Sequence, residues 1–138
     1  MNIKFEKVNN NHIPNIIKLH NKYFYRKISS DEINIKFYSN PINKIYKQIN
    51  YGYVAMQGQN IIGYLGCIPQ LYYYKNKQIL TYVTNSLICE KGYESIASML
   101  CLKFIKDNQA DIFLNTTANK SASKIFKAIG FSEFGDEK

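Results

Sequence analysis

The chain has 138 residues, of which 46% are hydrophobic and 20% are charged. This length suits a single domain with a sizeable core, and the composition excludes a disordered or low-complexity protein. The 18 basic and 10 acidic residues give a formal net charge of +8, but the basic residues are scattered lysines, with Arg26 the only arginine. A nucleic-acid interface is expected to gather basic and stacking aromatic side chains on one face. The sequence therefore argues against a nucleic-acid partner.

The cysteines and histidines of the chain indicate whether disulfides or metal sites are expected. Cys67, Cys89 and Cys101 are odd in number and lack C-x-x-C spacing, so neither a disulfide framework nor a zinc site is predicted. His12 and His20 have no cluster of carboxylates beside them, which also argues against a metal site. No apolar run approaches the ~18 residues of a membrane span, and the N-terminus has no signal-like apolar region. We therefore expect a cytoplasmic protein with no membrane partner.

Apolar spacing predicts the elements of the N-terminal part of the chain. Alternation in residues 3–8 indicates a first strand, and a helical apolar face covers roughly residues 12–24. Ser29 and Glu32 have the spacing of a capping box, which predicts the start of a short second helix. Residues 42–50 fit either a helix or a loop.

The centre of the chain is predicted to form an antiparallel meander. Residues 51–56 and 60–68 are two apolar β-type runs joined by a hairpin turn that contains glycine. A third run, 71–74, is separated by a lysine-rich turn from a longer run over residues 78–89. These runs predict a set of sequential, antiparallel strands.

The C-terminal part alternates helix and strand. A helix is predicted over residues 95–106, a short buried strand over 111–115 and a last helix over 121–129, with Gly130 as its stop. A strand, helix, strand connection is right-handed by default, so the strands at its two ends should be parallel neighbours. The predicted fold class is α/β (α+β), with a mixed central sheet of an antiparallel meander plus one parallel crossover, flanked by helices.

A functional site is expected where the long central strand passes into the following helix. The strand ends at Cys89, and Glu90, Lys91 and Gly92 have the composition of a tight turn. A helix start presents unpaired backbone N–H groups and the positive end of the helix dipole, which together suit a bound phosphate. An ordinary strand-to-helix connection without a ligand fits the same residues.

The order of the elements and two local motifs resemble the Gcn5-related N-acetyltransferases. Asn119, Ala122, Gly130 and Phe131 match the family's pattern of Asn, two residues, Ala and a helix that closes on Gly-Phe. Residues 61–66, I-I-G-Y-L-G, are similar to a strand run that is frequent in the family. The resemblance covers nearly the whole chain and implies acetyl-CoA as the co-substrate.

The resemblance also implies a donor site. It aligns residues 92–97 with the coenzyme loop, in which Ser95 and Ala97 keep the small side chains that let phosphate oxygens approach. Gly92 stands where the family usually has Gln or Arg, and Glu94 adds a negative charge. A bulge is expected to part the central strand from its parallel neighbour, which frees an edge for pantetheine. The implied donor-binding residues are Leu87, Ile88, Cys89, Gly92, Tyr93, Glu94, Ser95, Ile96, Ala97, Asn115 and Asn119.

No catalytic side chain is assigned from the sequence. The resemblance implies that a backbone N–H near Leu87 or Ile88 polarises the thioester carbonyl. Many family members have a Tyr that protonates the leaving thiolate at the position of Phe126, which has no hydroxyl, and Glu90 is a lone candidate for a general base. The residues expected to line an acceptor pocket are Tyr25, Tyr72, Tyr73, Tyr74 and Asn85.

The sequence as a whole predicts an acyltransferase that moves the acetyl group of acetyl-CoA directly to the amine of a small acceptor. The resemblance implies one domain over residues 1–138 that lacks the family's usual last strands. The departures at Gly92 and Phe126 leave a second interpretation open, a catalytically impaired module that serves in binding or dimerisation. An unfinished sheet edge would invite a partner chain, which fits a homodimer.

Overall fold

The computed structural model describes residues 2–106, 110–115 and 120–132. Asn119 and the residues after Ser132 lie outside the described residues. The strands and helices are β1 (Ile3–Lys7), α1 (Ile13–Tyr23), α2 (Ser30–Phe37), β2 (Gly52–Gln57), β3 (Asn60–Tyr74), β4 (Lys77–Cys89), α3 (Ala97–Lys106), β5 (Ile112–Asn115) and α4 (Lys120–Ala128).

The described strands form one mixed sheet in the order β1-β2-β3-β4-β5. The first four are antiparallel neighbours, and β5 is parallel to β4 after the crossover through α3. This arrangement confirms the predicted antiparallel meander with one parallel crossover. In the stretch over residues 42–50, a 3₁₀ turn at Pro41–Lys44 is followed by irregular chain, so the loop interpretation is the better one.

The separate strand predicted over residues 71–74 is wrong, because β3 runs without a break from Asn60 to Tyr74. Pro69 falls in the gap between the two predicted runs, and proline cannot donate to a strand ladder. The N–H of Cys67 donates to the carbonyl of Tyr51, on the β2 side of β3. Two residues on, the nitrogen of Pro69 faces the same side, beyond the end of β2, where no ladder hydrogen bond is lost.

Each face of the sheet carries its own core. On one face Ile16 of α1 and Phe37 of α2 pack with Ile88 of β4. On the other face Leu100 and Phe104 of α3 are fully buried, and each such side chain contributes ~1.5–3 kcal/mol on leaving water. β4 therefore lies between α1 and α3 and holds its position through both cores.

Close packing at Gly63 fixes the start of α3 against the sheet. A Cβ at this position would lie 2.7 Å from Cδ1 of Ile96 and 3.0 Å from Cδ1 of Leu100. The glycine thus lets the first turn of the helix approach β3 more closely than any other residue would allow. This contact sets where the turn between β4 and α3 lies.

Candidate active site

A β-bulge at Ser86 interrupts the ladder between β3 and β4. Leu87 lies opposite Leu65 and Asn85 lies opposite Gly66, so Ser86 is an extra residue in β4. Its φ of 43° is in the left-handed region, which costs about 1–3 kcal/mol for a residue other than glycine. The bulge implied by the family resemblance is therefore present, and Ser86 holds a strained backbone conformation there.

The parallel pairing of β4 with β5 stops beside this bulge. The last paired residues are Thr84 and Asn115, and no described residue pairs with that edge of β4 farther along. The Thr84 hydroxyl donates to the carbonyl of Leu114 at 3.1 Å, and the Asn115 amide donates to Thr84 Oγ1 at 2.8 Å. These side chains tie the two strands together at the last rung before a free edge begins.

The direction of the backbone amides along this edge follows from the ladder. Glu90 N–H donates to the carbonyl of Ile62 in β3 at 2.8 Å. Alternation along the strand then turns the Ile88 N–H toward β3 as well, and the N–H groups of Leu87 and Cys89 toward the free edge. Of the two amides expected near the thioester, the geometry favours Leu87.

The turn after β4 already holds an anion. A 3₁₀ turn at Glu94–Ile96 leads into α3, and the Glu94 carboxylate accepts the Gly92 N–H at 3.0 and 3.2 Å. The backbone N–H of Glu94 itself and that of Gly92 lower the pKa of this carboxyl. The Tyr93 hydroxyl donates to Oε1 of Gln57 at 2.7 Å, which anchors the turn to β2. The loop thus stabilises a negative charge through its main chain.

Glu90 anchors the other side of the loop to α1. Its carboxylate accepts hydrogen bonds from Lys22 Nζ at 2.5 Å and from the Tyr23 hydroxyl, and Tyr23 in turn accepts the Lys91 N–H at 3.0 Å. The hydrogen bond from Lys22, followed by that from Tyr23, lowers the pKa of the Glu90 carboxyl. These contacts make Glu90 a poor general base and give it a structural role.

The cysteine nearest the free edge is not an activated nucleophile. Burial, with a smaller effect of the Glu94 charge, raises the pKa of Cys89 to about 11. Burial also raises the pKa of Cys101 to about 12 and that of Cys67. Thiols in this state remain protonated near neutral pH and react slowly. The state of these thiols therefore does not support a mechanism with a covalent cysteine intermediate.

Phe126 is a core residue. Its side chain is 3% exposed, and its ring centroid lies 4.9 Å from that of Phe131. It packs with the buried side chains beneath α3. The phenyl ring thus completes the core where many family members carry a phenol.

The residues expected to line an acceptor pocket are not gathered together. Tyr25 is fully exposed, and the run Tyr72 to Tyr74 lies at the far end of the β3–β4 hairpin, whereas Asn85 lies at the bulge. Sequence reasoning missed Tyr64 and Gly66, which lie beside Asn85. Both residues belong to the run 61–66, which was the sequence feature that could have pointed to them.

No metal centre or membrane-spanning helix is found in the part of the chain that the structure describes. The described residues contain no group of three or more His, Cys, Asp or Glu side chains that could hold a metal ion. None of the described helices has the length and apolar character needed to cross a bilayer. No protein-family model matches the sequence, and no curated protein matches it either.

Solved structures, in contrast, match over nearly the whole chain. Glucosamine-6-phosphate N-acetyltransferase from Arabidopsis thaliana superposes with a TM-score of 0.72 at 9% identity, covering 100% of this chain and 97% of that chain. A predicted acetyltransferase with acetyl-CoA from Clostridium acetobutylicum gives 0.72 at 13% identity, with 99% and 94% covered.

A third match is Arabidopsis thaliana Naa50 in complex with the bisubstrate analogue CoA-Ac-MVNAL. It superposes with a TM-score of 0.67 at 15% identity, covering 98% of this chain and 86% of that chain. At such low identities the agreement concerns the backbone path and not the side chains. The protein therefore has the fold of the Gcn5-related N-acetyltransferases.

Proposed function

We propose that the protein transfers the acetyl group of acetyl-CoA directly to the amine of a small acceptor. The observation that carries the proposal is the free edge of β4 at Leu87 and Cys89, next to a loop that already holds a carboxylate. Structural neighbours that act as acetyltransferases or contain acetyl-CoA support it. The proposed donor-binding residues are those from Leu87 to Cys89 and from Gly92 to Ala97, with Asn115 where the strands part.

Each part of the donor has a counterpart in this region. The main-chain N–H groups of Gly92, Glu94 and Ser95 suit the pyrophosphate, which must displace the Glu94 carboxylate from Gly92. The N–H groups of Tyr93, Ile96 and Ala97 already donate to carbonyls within the turn. The pantetheine amides can pair with the free edge of β4 as an added strand would. The Leu87 N–H then donates to the thioester oxygen and stabilises the charge that develops there.

The reaction itself needs positioning more than it needs a protein nucleophile. The amine nitrogen attacks the thioester carbon, a C–N bond forms and the C–S bond breaks. One proton leaves the nitrogen and one joins the thiolate sulfur, so the products are an amide and CoA. Holding the amine and the thioester together supplies much of the rate enhancement. Cys89 remains a protonated thiol throughout.

The acceptor and the assembly are also part of the proposal. One structural neighbour is named for glucosamine 6-phosphate and another for a complex with a peptide-containing bisubstrate analogue. We assign the acceptor to small primary amines. Three free, buried or half-buried cysteines fit a reducing compartment such as the cytoplasm. The outer edge of β5, unpaired among the described strands, fits a homodimer contact.

A second candidate function is a binding or dimerisation module with impaired catalysis. The Glu94 carboxylate in the loop favours it, because this charge opposes a pyrophosphate. It predicts a folded chain with no saturable affinity for acetyl-CoA.

Calorimetric titration of acetyl-CoA tests the proposed donor loop. Ser95 is exposed in the 3₁₀ turn before α3, so Ser95→Glu adds a carboxylate beside the amides without entering the core. We expect the Kd for acetyl-CoA to rise at least about tenfold, because like charges placed together oppose binding strongly. The matched control is Gln70→Glu, which makes the same charge change on the exposed part of β3 beyond β2.

The wild-type protein should bind one equivalent of acetyl-CoA, and Gln70→Glu should keep the wild-type Kd. Absence of binding to the folded wild-type chain would contradict the proposed function and support the second candidate. Equal weakening by both substitutions would reject the loop as the phosphate site.

A further inference from the structure

Asn85 carries a buried acceptor that the described residues leave unsatisfied. Its Oδ1 is enclosed by the protein and has no hydrogen-bond partner among the described residues. A buried polar atom without a partner costs roughly 1–3 kcal/mol, and each such atom in a native protein calls for an explanation. Asn85 lies directly before the bulge at Ser86, beside the proposed reaction centre.

A second polar atom converges on the same place. A Cβ at Gly66, the residue opposite Asn85, would lie 2.3 Å from Asn85 Oδ1 and 2.6 Å from the Tyr64 hydroxyl oxygen. Both polar atoms therefore lie over the bare Cα of Gly66. No hydrogen bond links them, since Oδ1 has no partner among the described residues. The missing side chain of Gly66 is what lets these two atoms occupy this place together.

The bulge places this pair on the side of the sheet away from the donor helix. Tyr64 and Ile88 belong to the core under α1 and α2, whereas Leu65 and Leu87 pack on the α3 side. Asn85 lies two residues before Leu87, a distance of about 7 Å along the strand. The N–H of Leu87 faces the free edge. An amine held by the pair would approach the thioester from the face opposite the one on which α3 packs.

The chemistry of the pair is neutral. An asparagine oxygen accepts an N–H, and the Tyr64 phenol can donate or accept. Burial raises the pKa of Tyr64, so its hydroxyl stays protonated. Glu90, the carboxylate that follows β4, is engaged by Lys22 and Tyr23. A buried site with neutral partners disfavours an ammonium ion and favours the free amine that must attack.

We propose that Asn85 and Tyr64 position the acceptor nitrogen, and that this site takes weakly basic primary amines such as an α-amino group or an amino-sugar nitrogen. This inference rests on the proposed function and deepens it. Amines of this kind have a substantial neutral fraction near pH 7.5, because α-amino groups titrate at about 7.7–8.0, whereas a lysine-type amine titrates at about 10.4. Asn85 and Tyr64 are positioning residues, since neither takes a proton from the nitrogen in this scheme.

The positioning role is tested with hydroxylamine as a minimal acceptor at pH 7.5, by following the release of CoA thiol from acetyl-CoA above the rate of the direct reaction without protein. Asn85→Leu keeps the size of the side chain but removes the acceptor oxygen. We expect its KM for hydroxylamine to rise about tenfold, the scale of one lost hydrogen bond, with kcat changed little. Asn85→Gln keeps a neutral amide oxygen on a side chain that is one methylene longer, and its KM should lie closer to that of the wild type than the KM of Asn85→Leu.

Thr81→Val is the matched control. Thr81 is on the same strand, its buried hydroxyl also has no hydrogen-bond partner among the described residues, and it lies four residues before Asn85. Its substitution should leave the KM for hydroxylamine unchanged. All variants should bind acetyl-CoA with the wild-type Kd in the calorimeter, which separates an acceptor effect from a donor effect.

The outcomes distinguish this inference from the proposed function. A wild-type chain that neither binds acetyl-CoA nor releases thiol overturns both. Normal thiol release by the wild type, with an unchanged KM in Asn85→Leu or an equal rise in Thr81→Val, overturns the positioning role alone. An equal loss of the low KM in Asn85→Gln and in Asn85→Leu would indicate a structural role and would also overturn it.

The amine class is tested with glycinamide and n-propylamine at the same pH. Glycinamide is the weaker base, and we expect its kcat/KM to be at least about tenfold higher, in line with the larger neutral fraction of a weaker base. An equal or higher value for n-propylamine, or no reaction with either, contradicts the assigned class. Glucosamine 6-phosphate and the peptide MVNAL then separate a sugar acceptor from a peptide acceptor by their relative kcat/KM.

Discussion

At the scale of single residues, Glu94 shows how the loop before α3 stabilises negative charge. Its carboxylate accepts the Gly92 N–H, and the main chain lowers the pKa of that carboxyl. A loop that stabilises an internal carboxylate has the polarity that an incoming phosphate needs. The same carboxylate competes with that phosphate, because one amide donor is occupied and a like charge is added. In the proposed donor site, Glu94 thus shows that the loop can stabilise a negative charge, and its own charge opposes an incoming phosphate.

The variant Glu94→Gln separates these two effects. It removes the charge but keeps the size of the side chain, so acetyl-CoA should bind about two- to fivefold more tightly at low salt, with a smaller gain at high salt. Calorimetry at both salt concentrations measures the change. Asp31→Asn, an equal charge change on the exposed first turn of α2, should leave the Kd unchanged. Weaker binding by Glu94→Gln would mean that Glu94 holds the loop in its binding form.

At the level of elements, the sequence predicted most strands and helices but missed the continuity of β3. Pro69 lies between the two runs predicted there, and the sequence does not show that β2 ends before it. The bulge at Ser86 could be expected only from the family resemblance, since serine has no intrinsic preference for a φ of 43°. The surrounding sheet imposes that conformation.

The proposed donor side of the site could be predicted from the sequence and the proposed acceptor side could not, for a physical reason. The loop from Gly92 to Ala97 is contiguous, so small residues before an apolar helix are visible in the sequence. The pairing of Asn85 with Gly66 and Tyr64 depends on strand register across β3 and β4. A shift of one residue would turn Asn85 to the other face, and no local pattern fixes that register.

Helix α1 carries a buried histidine that should make stability depend on pH. His20 is 9% exposed, its ring lies 4.6 Å from that of Phe24, and burial lowers its pKa. The unfolded chain therefore binds more protons than the folded chain as the pH falls below about 6.5. The free energy of unfolding should decrease from pH 7.5 to pH 5.5, and the loss should level off once folded His20 is protonated.

Urea denaturation at pH 7.5 and pH 5.5 measures this dependence. The substitution His20→Gln removes the titrating ring, so the variant should lose less stability than the wild type over that interval. The interval from pH 7.5 to pH 5.5 lies above the usual titration range of carboxyl groups, so these groups contribute little to the loss of stability. An equal loss in the variant and the wild type would show that another group is responsible.

For the whole molecule, the fold persists where the sequence has changed almost completely. Solved acetyltransferases superpose on this chain at 9–15% identity, although no protein-family model matches it. The apolar spacing of this chain's helices and strands matches its two cores, and such spacing can be met by many different sequences. The scattered lysines that give the net charge of +8 fit a solvated surface. Function must therefore be tested at the site itself.

The most direct test is an acetyl-CoA titration of the ¹⁵N-labelled protein, followed by the NMR shifts of its backbone amides. The account predicts saturable shifts at Leu87, Cys89 and residues 92–97, with the end of the β3–β4 hairpin at Tyr73 unaffected. Those shifts would locate the donor along the free edge of β4 and at the start of α3. A folded chain whose amides in these segments do not respond, or respond only at the hairpin end, would contradict the proposed donor site.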